Sequence, residues 1–145
     1  MNFPECESRG LIRKDPGAPS RVPGSLDSAV RFLEAARKNI GIREFEMAEI
    51  AAYNSAFHSA RALLFSLGYI ERSHACLTTA LNHLVRNDDE IHSLILTLDK
   101  LRLSRHNVQY GNSLVLPDEA TFAADFAERI HAAVSARLEK SGKEK

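Results

Sequence analysis

The chain has 145 residues, about the length of one ordinary domain. Lys plus Arg total 19 and Asp plus Glu total 19, so the formal net charge is zero. That balance excludes a protein that coats nucleic acid through a broad basic surface, and leaves room only for a local basic site. Hydrophobic residues make up 44% and charged residues 26%, which is ordinary globular composition with enough apolar material for a core. No apolar run approaches the roughly 20 residues that span a membrane. The first ten residues, MNFPECESRG, lack the basic start and apolar stretch of a secretory signal, so a cytoplasmic setting is expected. The two cysteines, Cys6 and Cys76, are too few for a disulfide framework and are expected to be an exposed thiol and a half-buried small hydrophobe. The six His are scattered, with no CxxC or HExxH, so no metal site and no cofactor are expected.

Residues 1–24 hold four of the five Pro (4, 16, 19 and 23), a composition that cannot propagate a helix or a central strand. They are expected to form an extended or disordered arm. After Gly24 the period is helical throughout. A first helix is expected from about Ser25 to Asn39, capped by Ser25 or Asp27, with Leu26, Val30, Leu33, Ala36 and Ile40 facing inward and Gly41 as its stop. A second runs from about Phe45 to Leu67. It is apolar on two sides, so it is expected at the centre, covered by neighbours on both. A third runs from Ser73 to about Arg86, a fourth from Asp88 or Asp89 to Gln109, and a last begins near Pro117, with Asp118 and Glu119 in its first turn. The expected architecture is all-α: an antiparallel up-and-down bundle of four to five helices over residues 25–141, followed by a polar tail over 142–145.

The fourth helix carries the chemistry. Its apolar stripe of Ile91, Leu94, Ile95, Leu98 and Leu101 continues, at about 100° per residue, into Arg102, Arg105, His106 and Gln109. From Thr97 to Tyr110, Lys100, Arg102 and Arg105 face the single acid Asp99, a local excess of two positive charges. This end is either a solvated tail or a cationic cleft. Arg suits phosphate because its planar fork is permanently charged, and His and Tyr can exchange a proton with a ribose hydroxyl or a leaving oxygen. Metal-independent RNA cleavage needs that set of groups. On the second helix Asn54, His58 and Arg61 interrupt an apolar segment. They either satisfy one another and solvent or line the same cleft as substrate-binding groups. His74 and His83 are expected as surface or capping groups.

Two stretches resemble a known family. AAYNSAFHSARALLFSLGY (51–69) followed by ERSHACLTTAL (71–81) resembles the second helix and following segment of HEPN domains (higher eukaryotes and prokaryotes nucleotide-binding). LDKLRLSRHNVQY (98–110) resembles that family's signature helix. The similarity covers roughly residues 26–140. It implies a helical bundle that pairs as a homodimer, with signature helices facing across a cleft that takes RNA or a nucleotide. Many members are metal-independent endoribonucleases of toxin–antitoxin or defence systems; others are non-catalytic accessory or antitoxin-like partners of a minimal nucleotidyltransferase. The family's pattern is Arg, a polar residue, three or four residues, then His. On this chain the Arg is Arg105 and the polar residue His106, while the closing His position falls on Tyr110, or on Gly111 for the longer spacing. The resemblance therefore implies Arg105, His106 and Tyr110 as the catalytic set, with Arg102 beside them for substrate, and puts cleavage itself in question.

Overall fold

The computed structural model describes residues 1–143. Six helices and two short strands run in the order α1 (Phe3–Ser8), β1 (Ile12–Lys14), a 3₁₀ turn (Ala18–Arg21), α2 (Val22–Gly41), α3 (Phe45–Ser66), β2 (Tyr69–Glu71), α4 (His74–Leu84), α5 (Asp89–Tyr110) and α6 (Pro117–Lys143). The chain is an all-α bundle, as its periodicity predicts.

Three helix starts follow the chemistry of their first residues. Ser73 accepts from the Cys76 N–H at 3.2 Å at the start of α4. Asp88 does the same for Ile91 at the start of α5, also at 3.2 Å. Pro117 opens α6, where its missing N–H costs nothing. Helix α3 gives way to β2 through Gly68, whose φ of +88° lies in the left-handed region that glycine adopts without strain.

Helix α3 is the axis of the molecule, packed chiefly against α2 and α6. Its small residues Ala48, Ala52, Ala56 and Ala60 are fully buried and let both neighbours approach closely. Two serines then tie α2 to α3 reciprocally. The Ser25 hydroxyl donates to the His58 carbonyl at 2.8 Å, and the Ser55 hydroxyl donates to the Ala29 carbonyl at 2.7 Å. Ser25 is thus not the expected cap: α2 starts earlier, at Val22, and its buried line is Ser25, Ala29 and Ala36. Val30, expected inside, is exposed, because α2 covers α3 on one side only. Phe126, Ile130 and Val134 of α6 and Ile91, Ile95 and Leu98 of α5 complete the core.

The N-terminal segment departs from expectation. Residues 1–24 are not an extended arm. Asn2 caps α1 through its side-chain oxygen, 3.0 Å from the Glu5 N–H. Strand β1 pairs antiparallel with β2, Ile12 opposite Glu71 and Lys14 opposite Tyr69. Cys6 and Cys76 are joined by a disulfide, 70 residues apart in sequence, with both residues buried. Neither is the free thiol expected of it. The proline and glycine content had suggested a segment without partners, yet Pro4 and Pro19 sit in the first turns of helices, where proline is tolerated. At the other end, α6 continues through the start of the expected polar tail as far as Lys143; the rest of that tail lies outside the described residues.

Candidate nucleic-acid interface

Helix α5 starts in the core and emerges from it. Ile91 to Leu101 hold it down, and beyond Leu101 only polar residues and Val108 remain half-buried. This anchoring fixes the direction in which the cationic end points.

Arg105 turns toward α3. Its guanidinium lies 4.8 Å from the centroid of the Tyr53 ring, and its Nη1 donates to Gln109 Oε1 at 2.7 Å. Tyr53 is only 1% exposed, and its hydroxyl sits 2.7 Å from Nδ1 of His74 at the start of α4. His74 in turn stacks on Phe57, with centroids 3.9 Å apart and planes 9° from parallel. The side chains of three helices therefore form one line: Phe57, His74, Tyr53, Arg105.

The electrostatics of this line follow from burial and from the arginines beside it. Burial pushes the Tyr53 hydroxyl up to about 12, although Arg105 and Arg102 pull it down. Burial, reinforced by Arg105 and Arg102, pushes His74 down to about 4. Both groups are therefore neutral near pH 7. Their hydrogen bond shares one proton and stores no charge, so the pair orients the Tyr53 ring beneath Arg105 and is a poor proton carrier.

Arg102 is held separately. Its Nε lies 3.0 Å from Asp99 Oδ1, which also accepts from the Thr78 hydroxyl at 3.1 Å. His106 and Tyr110 leave the bundle on the solvent side. Their ring centroids are 5.0 Å apart, and Tyr110 is 69% exposed. The three residues implied as a catalytic set are thus divided: Arg105 is tucked against α3, while His106 and Tyr110 stand outside it.

The second polar strip does not join them as one surface. Asn54 is half-buried beside Tyr53 in sequence. His58 faces α2, its ring 5.5 Å from Phe32 and 7° from parallel. Burial first, then Arg61 and Arg31, lowers its pKa. Arg61 forms a close ion pair with Glu71 of β2, poorly aligned for a hydrogen bond, and lies 4.9 Å from the Phe65 ring centroid. Two of the strip approach the α5 site: Arg61 lines a cavity of about 250 Å³ with Phe57, Arg72 and His74, and the His58 ring lies 5.6 Å from that of Phe57.

The sequence reading missed Tyr53 and His74. In the sequence Tyr53 is one aromatic of a helix expected to be covered on two sides, and His74 is expected as a surface or capping group. One signal was available: a tyrosine inside an alanine-rich, covered helix needs a partner for its hydroxyl. A cavity of about 490 Å³ also flanks α5, between α3 and α6, but on another face. Within it the buried Glu49 accepts from the Ser104 hydroxyl at 2.9 Å, and desolvation raises its pKa.

Compared with protein families, residues 23–139 match the HEPN domain. The chain belongs to the HEPN family. HEPN domains form a family of nucleotide-binding, RNA-binding and ribonuclease-type proteins. Comparison with curated proteins and with solved structures gave no match. Residues 98–110, which resemble the family's signature helix, lie on α5. Among the described residues no three His, Cys, Asp or Glu side chains gather where they could hold a metal ion, and no helix is long and apolar enough to cross a membrane.

Proposed function

We propose that this HEPN domain binds RNA or a nucleotide through the C-terminal half of α5, with Arg105 as the main phosphate contact. The observation that carries the reading is the support beneath Arg105: a guanidinium held 4.8 Å from the ring centroid of a tyrosine that is itself fixed by His74. A cation held in this way loses less freedom on meeting a phosphate than one on a free side chain. His106 and Tyr110 flank it from the solvent side with one aromatic face each, suited to a base.

The domain works as a symmetric pair in this proposal. Leu96, Leu103 and Tyr110 are 46%, 54% and 69% exposed and lie seven residues apart on α5, along one line of the helix. Two such lines meeting across a two-fold axis would bury them and bring two copies of Arg105, His106 and Tyr110 to one cleft.

Two roles remain for that cleft. Metal-independent cleavage is favoured by the adjacency of His106 and Tyr110, a proton donor and acceptor beside a cation. A non-catalytic accessory or antitoxin-like role beside a nucleotidyltransferase is favoured by the tyrosine at the closing position. Fluorescence anisotropy on single-stranded RNA, read against salt in EDTA, tests the common claim. Arg105→Ala should weaken binding by about 10- to 100-fold and flatten the salt slope by about 0.7 per lost phosphate contact. RNA binding unchanged in this variant would overturn the reading. Product appearance under the same conditions separates the cleaving role from the accessory one.

A further inference from the structure

Two residues of the polar strip on α3, His58 and Arg61, border a second cavity. It has a volume of about 330 Å³ and lies between the 3₁₀ turn, the first turns of α2, and α3. Arg21 and Arg61 converge there on one ring: their guanidinium carbons lie 6.0 and 4.9 Å from the Phe65 centroid. Arg31 lies outside the lining and donates its Nη2 to the lining Ser28 Oγ at 3.1 Å. No acidic residue lines this cavity. Glu71, the partner of Arg61, lines the neighbouring cavity instead. Arg21 and Arg61 against that one carboxylate leave an excess of one positive charge.

The remaining wall fits the same chemistry. Ser20 and Ser25 already donate their hydroxyls, to the Gly17 carbonyl at 2.7 Å and the His58 carbonyl at 2.8 Å. The Ser28 hydroxyl accepts from Arg31 and keeps its own hydrogen to donate. His58 borders the cavity, and its buried Nδ1 has no hydrogen-bond partner. A side chain at Gly24 would meet nothing within 4 Å, so the first turn of α2 presents bare backbone. Two guanidiniums on one aromatic ring repel each other, the single Glu71 carboxylate offsets only one of the two charges, and a doubly charged oxyanion between them reverses the sign of the interaction.

We propose that this cavity is a binding site for a phosphomonoester dianion, with Arg21 and Arg61 as its cationic jaws and Ser28 as a hydroxyl donor. It shares Arg61, and no other lining residue, with the cavity that reaches His74. Arg61 lies eight residues beyond Tyr53 on α3, about 12 Å along the helix. The site does not depend on the reading of Arg105, and it would hold whichever role α5 performs.

The test is calorimetry on the full chain at pH 7.5 with three probes: inorganic phosphate, adenosine 5′-monophosphate and adenosine. Inorganic phosphate and the nucleotide should bind and adenosine should not. Nucleotide binding at least tenfold tighter than inorganic phosphate assigns the site to nucleotides; equal binding assigns it to free phosphate. Arg21→Ala, at an exposed position, should weaken binding of both at least tenfold. Gly24→Asp should abolish it while leaving the melting temperature unchanged or higher, since an acid in the first turn of a helix is stabilising. Arg105→Ala should leave it intact. Undiminished nucleotide binding in both Arg21→Ala and Gly24→Asp, or adenosine bound as tightly as its monophosphate, would overturn the proposal. Because Arg21→Ala should not alter Arg105-dependent RNA binding, failure here and failure at α5 are distinguishable.

Discussion

Tyr53 and His74 illustrate how much one buried hydrogen bond constrains. His74 is neutral in the folded protein because charging it would place a cation in a half-desolvated position beside Arg105 and Arg102. An unfolded histidine titrates near 6.5, the folded one near 4. Between those values the unfolded chain binds more protons, so stability falls as pH drops from 6.5 toward 4. The loss should be roughly 2 kcal/mol for this group. Denaturant titrations at pH 7 and pH 4.5 should show it for the native chain and a smaller change for His74→Gln. Tyr53→Phe should leave the fold intact at a cost of about 1–2 kcal/mol, and should weaken RNA binding by loosening the platform under Arg105. The sequence revealed Arg105, because an arginine continuing an apolar stripe is visible as a pattern. It hid Tyr53, because an aromatic on a covered helix looks the same whether its hydroxyl holds a partner or meets solvent. It hid His74 because the partner lies on another helix, 21 residues away.

At the scale of elements, the helices were legible where their signals are local. Asp88 reads as a cap and is one, but it also holds Arg137 of α6 at 2.8 and 3.1 Å through two nitrogens. Asp88→Ala removes a cap and this two-point pair together, and should cost about 2 kcal/mol by thermal melting. Asp88→Asn, which keeps the cap, should recover part of that. The strands were not legible: three residues each, joined across more than 50 positions, carry no periodicity to detect. The disulfide was hidden for the same reason, since only the fold brings Cys6 to Cys76. Closing a loop of that length should stabilise the chain by about 4 kcal/mol on a chain-entropy estimate. Scanning calorimetry with and without a dithiol reductant should show a lower melting temperature for the reduced protein. Alkylation in denaturant without reductant should find no free thiol. A buried disulfide is more common in oxidising compartments than in the cytosol, and so weighs against the cytoplasmic setting expected from the N-terminal sequence.

At the scale of the molecule, zero net charge is a sum of opposing regions. The cationic end of α5 and the arginine-lined cavity at the start of α2 are local excesses, and acids elsewhere, Asp118 and Glu119 at the start of α6 among them, offset them. The apolar line on α5 gives the proposed pairing a direct test. Leu103→Glu, at an exposed position, should leave the monomer folded and shift light scattering from dimer to monomer at tens of micromolar, whereas a native chain already monomeric there would contradict the pairing. The bundle itself was readable because amphipathic periods and short loops determine it. The way its first 21 residues pack was not, because the strand and the cysteine that anchor them come later in the chain. That order has a consequence during synthesis. Strand β1 has nothing to pair with until Tyr69–Glu71 has been made, and Cys6 waits for Cys76. Residues made before their partners are thus among the last of the domain to settle, and for that interval the Cys6 thiol is open to any oxidant or electrophile that meets the nascent chain.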